Sequence, residues 1–137
     1  MTDPITLLAL AERCEQAVGP NNGLDAEIAL AIGYTHERRG TERACWWRTP
    51  AGQQLAYVGY KNHPPFFTGS LDAAVTLVPE GRAWTVGQNL HHWFWQASIN
   101  ALNDDGNPTS IGFGGPCGWP ALALCAAALR ARAAAHE

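Results

Sequence analysis

One candidate for a catalytic group in this chain is the thiol of Cys117, which lies in the glycine-rich segment 112–119. Pro120 follows, and because proline is typical of the first residue of a helix, Cys117 is expected just before a helix N-terminus. The positive end of a helix dipole lowers the pKa of a nearby thiol and so favours a nucleophilic thiolate. Such a nucleophile needs a base, and three histidines could supply it: His63, His91 and His92. The alternatives are a small cysteine-dependent hydrolase and a loop cysteine with no role.

The backbone of the same segment could instead bind an anion. Gly114, Gly115 and Gly118 have no side chains, so a ligand can approach the backbone N–H groups beside them. The helix N-terminus that follows favours negative charge. No Lys-Ser or Lys-Thr pair follows the glycines, which excludes a P-loop, and the Rossmann glycine spacing is absent. We therefore predict an anion cradle over residues 114–118, and the alternative is a connecting loop without a ligand.

Aromatic and basic side chains are interleaved in the middle of the chain, between residues 43 and 61. An aromatic ring can stack on a nucleobase while a cation holds its phosphate, and the same residue types anchor protein–protein interfaces. The alternative is that the rings fill the core and the cations lie on a solvated face. The residues predicted to form a ligand site in this region are Arg43, Trp47, Tyr60 and Lys61.

Metal-binding patterns are weak. His91 and His92 are adjacent, so a strand would place them on opposite faces, where they cannot bind one metal ion as a pair. The oxygen-bearing run 103–107 resembles part of a calcium loop, but the distal glutamate of that motif is missing, and a hairpin turn explains the run. We expect neither a metal ion nor a cofactor.

Composition excludes several classes of partner. The 137 residues carry a formal net charge of −3, which argues against non-specific binding of long nucleic acids. With 47% hydrophobic and 15% charged residues, the chain can build a packed core. No run of about 18 apolar residues occurs and no basic segment precedes an apolar one at the N-terminus, so we expect a cytosolic protein that does not bind membranes. The four cysteines lack C-x-x-C spacing, and no disulfide framework is expected.

Four helices are predicted to position these groups. Asp3 caps a helix that runs to residue 18. Asn22 caps a second helix, with Asp25 placed three residues later as in a capping box. Ser70 caps a third helix, and Pro120 begins the last one.

The patterns between the helices predict short strands. Alternation along residues 91–102 places Ala97 and Ile99 on one face of a strand and Gln96 on the other. The predicted strands are residues 44–48, 55–60, 83–89, 91–102 and 110–113. Helices at both ends of a small, mainly antiparallel sheet predict a single α+β domain over residues 1–137, layered as an α/β/α sandwich.

Three segments carry a family resemblance: LDAEIALAIG at 24–33, SLDAAVTLVPEG at 70–81 with Trp84 after it, and PALALCAAALRA at 120–131. In this order they resemble the phage ABA sandwich domain family, small proteins of bacteriophages and prophages named for their α/β/α layering. The resemblance implies a phage or prophage protein in the host cytoplasm, and it transfers no activity. The glycine-rich approach to the last helix and the aromatic middle depart from the family pattern, so any property specific to this chain is expected there.

Together these observations predict an accessory protein that works by binding, without catalysis. It would counter a host defence by binding a host protein or by sequestering a small anionic ligand such as a nucleotide. One alternative is the hydrolase that uses Cys117 with a histidine. Another is a virion assembly factor, which would form a homo-oligomer through exposed apolar surface on the alanine-rich last helix.

Overall fold

The structure is a computed structural model that describes residues 3–38, 45–53, 63–89 and 93–135. Its elements, in chain order, are α1 (Pro4–Gln16), α2 (Asn22–Ala31), β1 (Thr35–Arg38), β2 (Cys45–Arg48), α3 (Leu71–Val75), β3 (Ala83–Asn89), β4 (Phe94–Leu102), β5 (Pro108–Cys117) and α4 (Pro120–Ala134). Strands β1 and β2 form one antiparallel pair, and β3, β4 and β5 form a three-stranded antiparallel sheet in that order. The predicted single-domain α+β fold is confirmed.

The first three helices begin at side-chain caps. The Asp3 carboxylate accepts a hydrogen bond from the Thr6 N–H, and the Ser70 hydroxyl accepts one from the Ala73 N–H, so both predicted caps are confirmed. The cap of α2 is Asn21, one residue before the position that the sequence predicted.

Asp25 is not part of a capping box, because its side chain points into the core. It is fully buried and accepts a 2.8 Å hydrogen bond from the backbone N–H of Thr68. The Thr68 hydroxyl in turn accepts a 2.8 Å bond from the N–H of Asn21. These contacts tie the start of α2 to the segment before α3.

Helix α4 lies at the centre of the molecule. Eleven of its fifteen residues are buried, since the three-stranded sheet packs on one side and α1 and α3 pack on others. Over the described residues the layers therefore run in the order sheet, α4, and then α1 with α3. Among the residues of α4, all of which the structure describes, only Ala134 is exposed, so this helix offers little of the apolar surface that the virion assembly hypothesis requires, and the hypothesis stays a prediction.

Glycines of β5 make the contact between the sheet and α4 possible. A Cβ atom at Gly114 would collide with the carbonyl oxygen of Ala123, and one at Gly112 would collide with that of Ala127. The segment that the sequence predicted to be a loop is thus the end of a strand, and β5 runs on to Cys117. Its missing side chains allow a close approach of backbone to backbone.

The strand boundaries differ from the predictions in two other places. β4 begins at Phe94 rather than at residue 91, and Trp93 just before it has a left-handed φ of 58° that no extended strand adopts. β2 pairs with β1, a partner that the sequence did not predict. The predicted strand 55–60 lies outside the described residues. No helix in the described part of the chain is long and apolar enough to cross a membrane.

Candidate functional site

The backbone N–H at the centre of the predicted anion cradle already binds a carboxylate of this chain. Gly115 donates a 2.9 Å hydrogen bond to Oε2 of Glu15. Arg130 holds the same carboxylate with two bonds, each of 2.6 Å, one to each oxygen. This pairing keeps the pKa of Glu15 below its ordinary value. An external anion would have to displace Glu15 from this N–H group, which argues against an anion site here.

The remaining glycines of the cradle do not line a site together. Gly114 is buried against α4, where its backbone packs on Ala123. Gly118 is exposed, with open space around the position of a Cβ atom. The segment therefore packs against α4 at Gly114 and is exposed to solvent at Gly118.

Cys117 is placed where a thiol is a poor nucleophile. Only 3% of the residue is exposed, and burial raises the pKa of its thiol to about 11, with the negative charge of Glu15 acting in the same direction. The thiol therefore stays protonated at neutral pH, and the helix dipole does not prevail. Cys14 and Cys125 are free and buried as well.

Of the three histidines considered as a base for Cys117, the structure describes only His63. His63 packs its ring 4.2 Å from that of Phe66 and makes a 3.1 Å contact with the carbonyl of Pro64. His91 and His92 lie outside the described residues. Among the residues that the structure describes, no group of three or more His, Cys, Asp or Glu side chains could hold a metal ion.

Of the four residues predicted to form the aromatic and basic site, the structure describes only Trp47. Trp47 is 4% exposed and stacks on the ring of His36 at a centroid distance of 4.5 Å, so it belongs to the core. Arg43, Tyr60 and Lys61 lie outside the described residues, and their grouping stays a prediction. The alternative prediction, that aromatic rings of this region fill the core, is correct for Trp47.

A different site lies on the face of the three-stranded sheet that points away from α4. It is an open hollow of about 360 Å³. Its lining comes from all three strands: Thr85, Val86, Gly87, Gln88 and Asn89 of β3, Gln96, Ala97 and Ser98 of β4, and Phe113 of β5. The alternation along β4 placed Gln96 on this face in the sequence, but nothing in the sequence showed that α4 would cover only the opposite face.

The register of the strands sets the geometry of this hollow. Thr85 lies opposite Ser98, which lies opposite Phe113, so one row crosses the sheet from hydroxyl to hydroxyl to aromatic ring. In a neighbouring row Gly87 lies opposite Gln96. Gly87 has nothing within 4 Å of the position of a Cβ atom, and this open space forms the floor of the hollow.

The lining, over the residues that the structure describes, is largely polar and uncharged. In the described part of the structure the Gln96 carboxamide has no hydrogen-bond partner, and it can both donate and accept. The Ser98 hydroxyl donates to the Asn100 side chain at 3.1 Å and keeps its acceptor capacity. Phe113 is 47% exposed and offers a ring for stacking. The arrangement suits a flat, neutral molecule with hydrogen-bonding edges.

Comparison with known proteins adds no information about this site. No protein-family model, no curated protein and no solved structure matches the chain. The resemblance to the phage ABA sandwich family accordingly stays a prediction, and no site residue is transferred from a relative.

Proposed function

We propose that this protein works by binding, without catalysis of its own, and that the hollow on the sheet holds the nucleobase of a small nucleotide-like ligand. The observation that carries the proposal is that the described lining is uncharged and combines an exposed aromatic ring, Phe113, with the carboxamide of Gln96, which has no hydrogen-bond partner among the described residues. The volume of about 360 Å³ falls within the range of small-molecule sites.

A nucleobase matches the groups of the hollow one by one. Its flat face can stack on Phe113, as bases stack on aromatic side chains in many single-strand binding proteins. Its edge carries both donors and acceptors, and a glutamine carboxamide such as that of Gln96 can bond to an adenine edge through two hydrogen bonds. The hydroxyls of Thr85 and Ser98 supply further donors and acceptors beside it.

The phosphate of such a ligand would stay in water. None of the described side chains of the lining carries a charge, and a phosphate placed there without a cation would lose its hydration without compensation. Affinity would therefore come from the base. This differs from the recognition predicted from the sequence, in which backbone N–H groups and basic side chains hold the anion.

The sequence resemblance to the phage ABA sandwich family supports a phage or prophage setting for this activity. In that setting, sequestering a nucleotide-like signal in the host cytoplasm would counter a host defence. A host protein as the target stays a prediction.

The experiment that tests the proposal is thermal unfolding in the presence of a panel of nucleosides and their 5′-monophosphates. A ligand at about 100 times its dissociation constant stabilises the native state by about 2.7 kcal/mol and raises the unfolding midpoint by several degrees. We expect one base to stabilise the protein, equally as nucleoside and as monophosphate, with ribose 5-phosphate and inorganic phosphate inactive. Stabilisation by phosphate alone, or by no member of the panel, would contradict the proposal.

A further inference from the structure

The two edges of the three-stranded sheet differ in the hydrogen bonds that their backbone groups make. At the β5 edge, the carbonyl of Phe113 accepts a 2.8 Å hydrogen bond from Arg130, and the N–H of Gly115 donates to Glu15. Side chains of α1 and α4 thus occupy backbone groups of this edge. At the β3 edge, no hydrogen bond in the described part of the structure reaches residues 83–88 from outside the β3–β4 ladder. Among the described residues, the backbone donors and acceptors of residues 83–88 on this edge of β3 have no partner.

β3 itself also lacks three of the features by which proteins keep an edge strand from pairing, namely charged residues, proline and a β-bulge. Its sequence, AWTVGQN, contains no charged residue and no proline. Its register with β4 is continuous over seven residues, whereas the β4–β5 pairing contains two register shifts. Five of the seven residues of β3 are exposed to solvent. Such an edge is a ready template for another strand.

We propose that β3 pairs with β3 of a second copy of this chain, in antiparallel orientation across a two-fold axis, to form a continuous six-stranded sheet. The edge is uncharged, so two copies meet without repulsion along the strand despite the net charge of −3. An antiparallel contact between identical strands is self-complementary, and it satisfies both open edges at once.

Apolar surface at the edge adds to this contact. Trp84 is 39% exposed at the start of β3, on the face that it shares with Val86. A strand that joins β3 would cover part of this ring. The hollow includes Thr85–Asn89 of the same strand, so the second copy would lie alongside it. The dimer does not depend on a ligand and is independent of the proposed function.

A matched pair of lysine substitutions tests the dimer. Thr85 and Thr109 are both exposed strand residues, the first on β3 and the second on β5, so lysine is compatible with the fold at either position. Sedimentation equilibrium over a range of protein concentrations measures self-association of the wild type, Thr85→Lys and Thr109→Lys, and circular dichroism confirms that each variant is folded. We expect the wild type and Thr109→Lys to dimerise alike, and Thr85→Lys to raise the dissociation constant at least about tenfold.

Hydrogen exchange gives a second readout that does not depend on a substitution. Outward amides of β3 should exchange more slowly as the protein concentration rises, while exposed amides of the hairpin loop at 103–107 should not change. A wild type that remains monomeric at every concentration would overturn the proposal. So would equal weakening by both lysine variants, or concentration-dependent protection confined to other strands.

Discussion

Glu15 of α1 and Arg130 of α4, which are 115 positions apart in the chain, form a two-pronged ion pair with both N–O distances at 2.6 Å. The pair also bonds to the backbone of β5, because Arg130 donates to the Phe113 carbonyl and Gly115 donates to Glu15. One contact therefore joins three elements. It also supplies the carboxylate that occupies the N–H group where the sequence predicted an external anion.

Removal of the cation should destabilise the fold. Arg130→Met removes the donor of the Phe113 carbonyl and leaves the partly buried Glu15 carboxylate with only the Gly115 N–H, and we expect a loss of about 1–3 kcal/mol in the free energy of unfolding. The matched control is Arg13→Met, since Arg13 pairs with Glu27 at the surface, where an ion pair contributes less than about 1 kcal/mol. Urea unfolding measures both. Equal losses in the two variants would show that the Glu15–Arg130 pair has no special role.

The buried carboxyl of Asp25 should make stability fall as the pH rises. Burial raises the pKa of Asp25 in the folded protein above its unfolded value near 4. As the pH rises from about 4 through the folded pKa, the carboxyl ionises more readily in the unfolded chain than in the folded one. Ionisation therefore favours the unfolded state. Asp25→Asn keeps an oxygen that can accept from the Thr68 N–H. We expect this variant to be at least as stable as the wild type at pH 7, with the difference shrinking below pH 4. A variant that is less stable at pH 7 and equal at low pH would reverse the sign.

Gly114 should tolerate no side chain. Gly114→Ala places a Cβ atom against the carbonyl oxygen of Ala123, and overpacking of this kind costs about 1–3 kcal/mol. Gly118→Ala is the control in the same segment, because the position has open space around it. The unfolding midpoint of the first variant should drop by several degrees and that of the second should change little. An unchanged midpoint for Gly114→Ala would mean that β5 and α4 are not in direct backbone contact.

Cys117 should be unreactive in the native protein. Its thiol is buried and its raised pKa leaves little thiolate at neutral pH. A disulfide reagent at pH 7.5, with peptide mapping to identify the labelled cysteine, should modify Cys117 only as fast as the protein opens, and rapidly in urea. Rapid, selective labelling of Cys117 in the folded protein would return the hydrolase hypothesis to consideration.

Local physical signals in the sequence predicted the local parts of the fold. Asp3 and Ser70 cap their helices through bonds that span three residues, so the signal and its effect lie together. The period-two pattern of β4 predicted that Ala97 and Ile99 share one face of the strand, and both residues are buried. These features depend on neighbours in the chain, and for that reason sequence alone was sufficient.

Features that depend on distant residues were missed. The glycines before α4 are typical of a loop, and only the position of α4 shows that they are a strand in close contact with a helix. Glu15 gave no sign in the sequence that it would reach Gly115, 100 positions away. The hollow was missed for the same reason, since its row from Thr85 to Phe113 exists only when three strands are in register.

A side chain at Gly87, in the floor of the hollow, should weaken ligand binding. Gly87→Val adds a side chain where nothing lies within 4 Å, at a strand position without positive φ, so the fold should accept it while the space opposite Gln96 closes. Gly118→Val makes the same change in open space outside the hollow.

The most direct test of the account is calorimetric titration of the wild type and these two variants with the nucleoside that gives the largest thermal shift. We predict that Gly118→Val binds as the wild type does and that Gly87→Val binds at least about tenfold more weakly. The nucleoside and its monophosphate should bind the wild type with similar affinity. Equal binding by Gly87→Val and the wild type would contradict the assignment of the hollow as the ligand site.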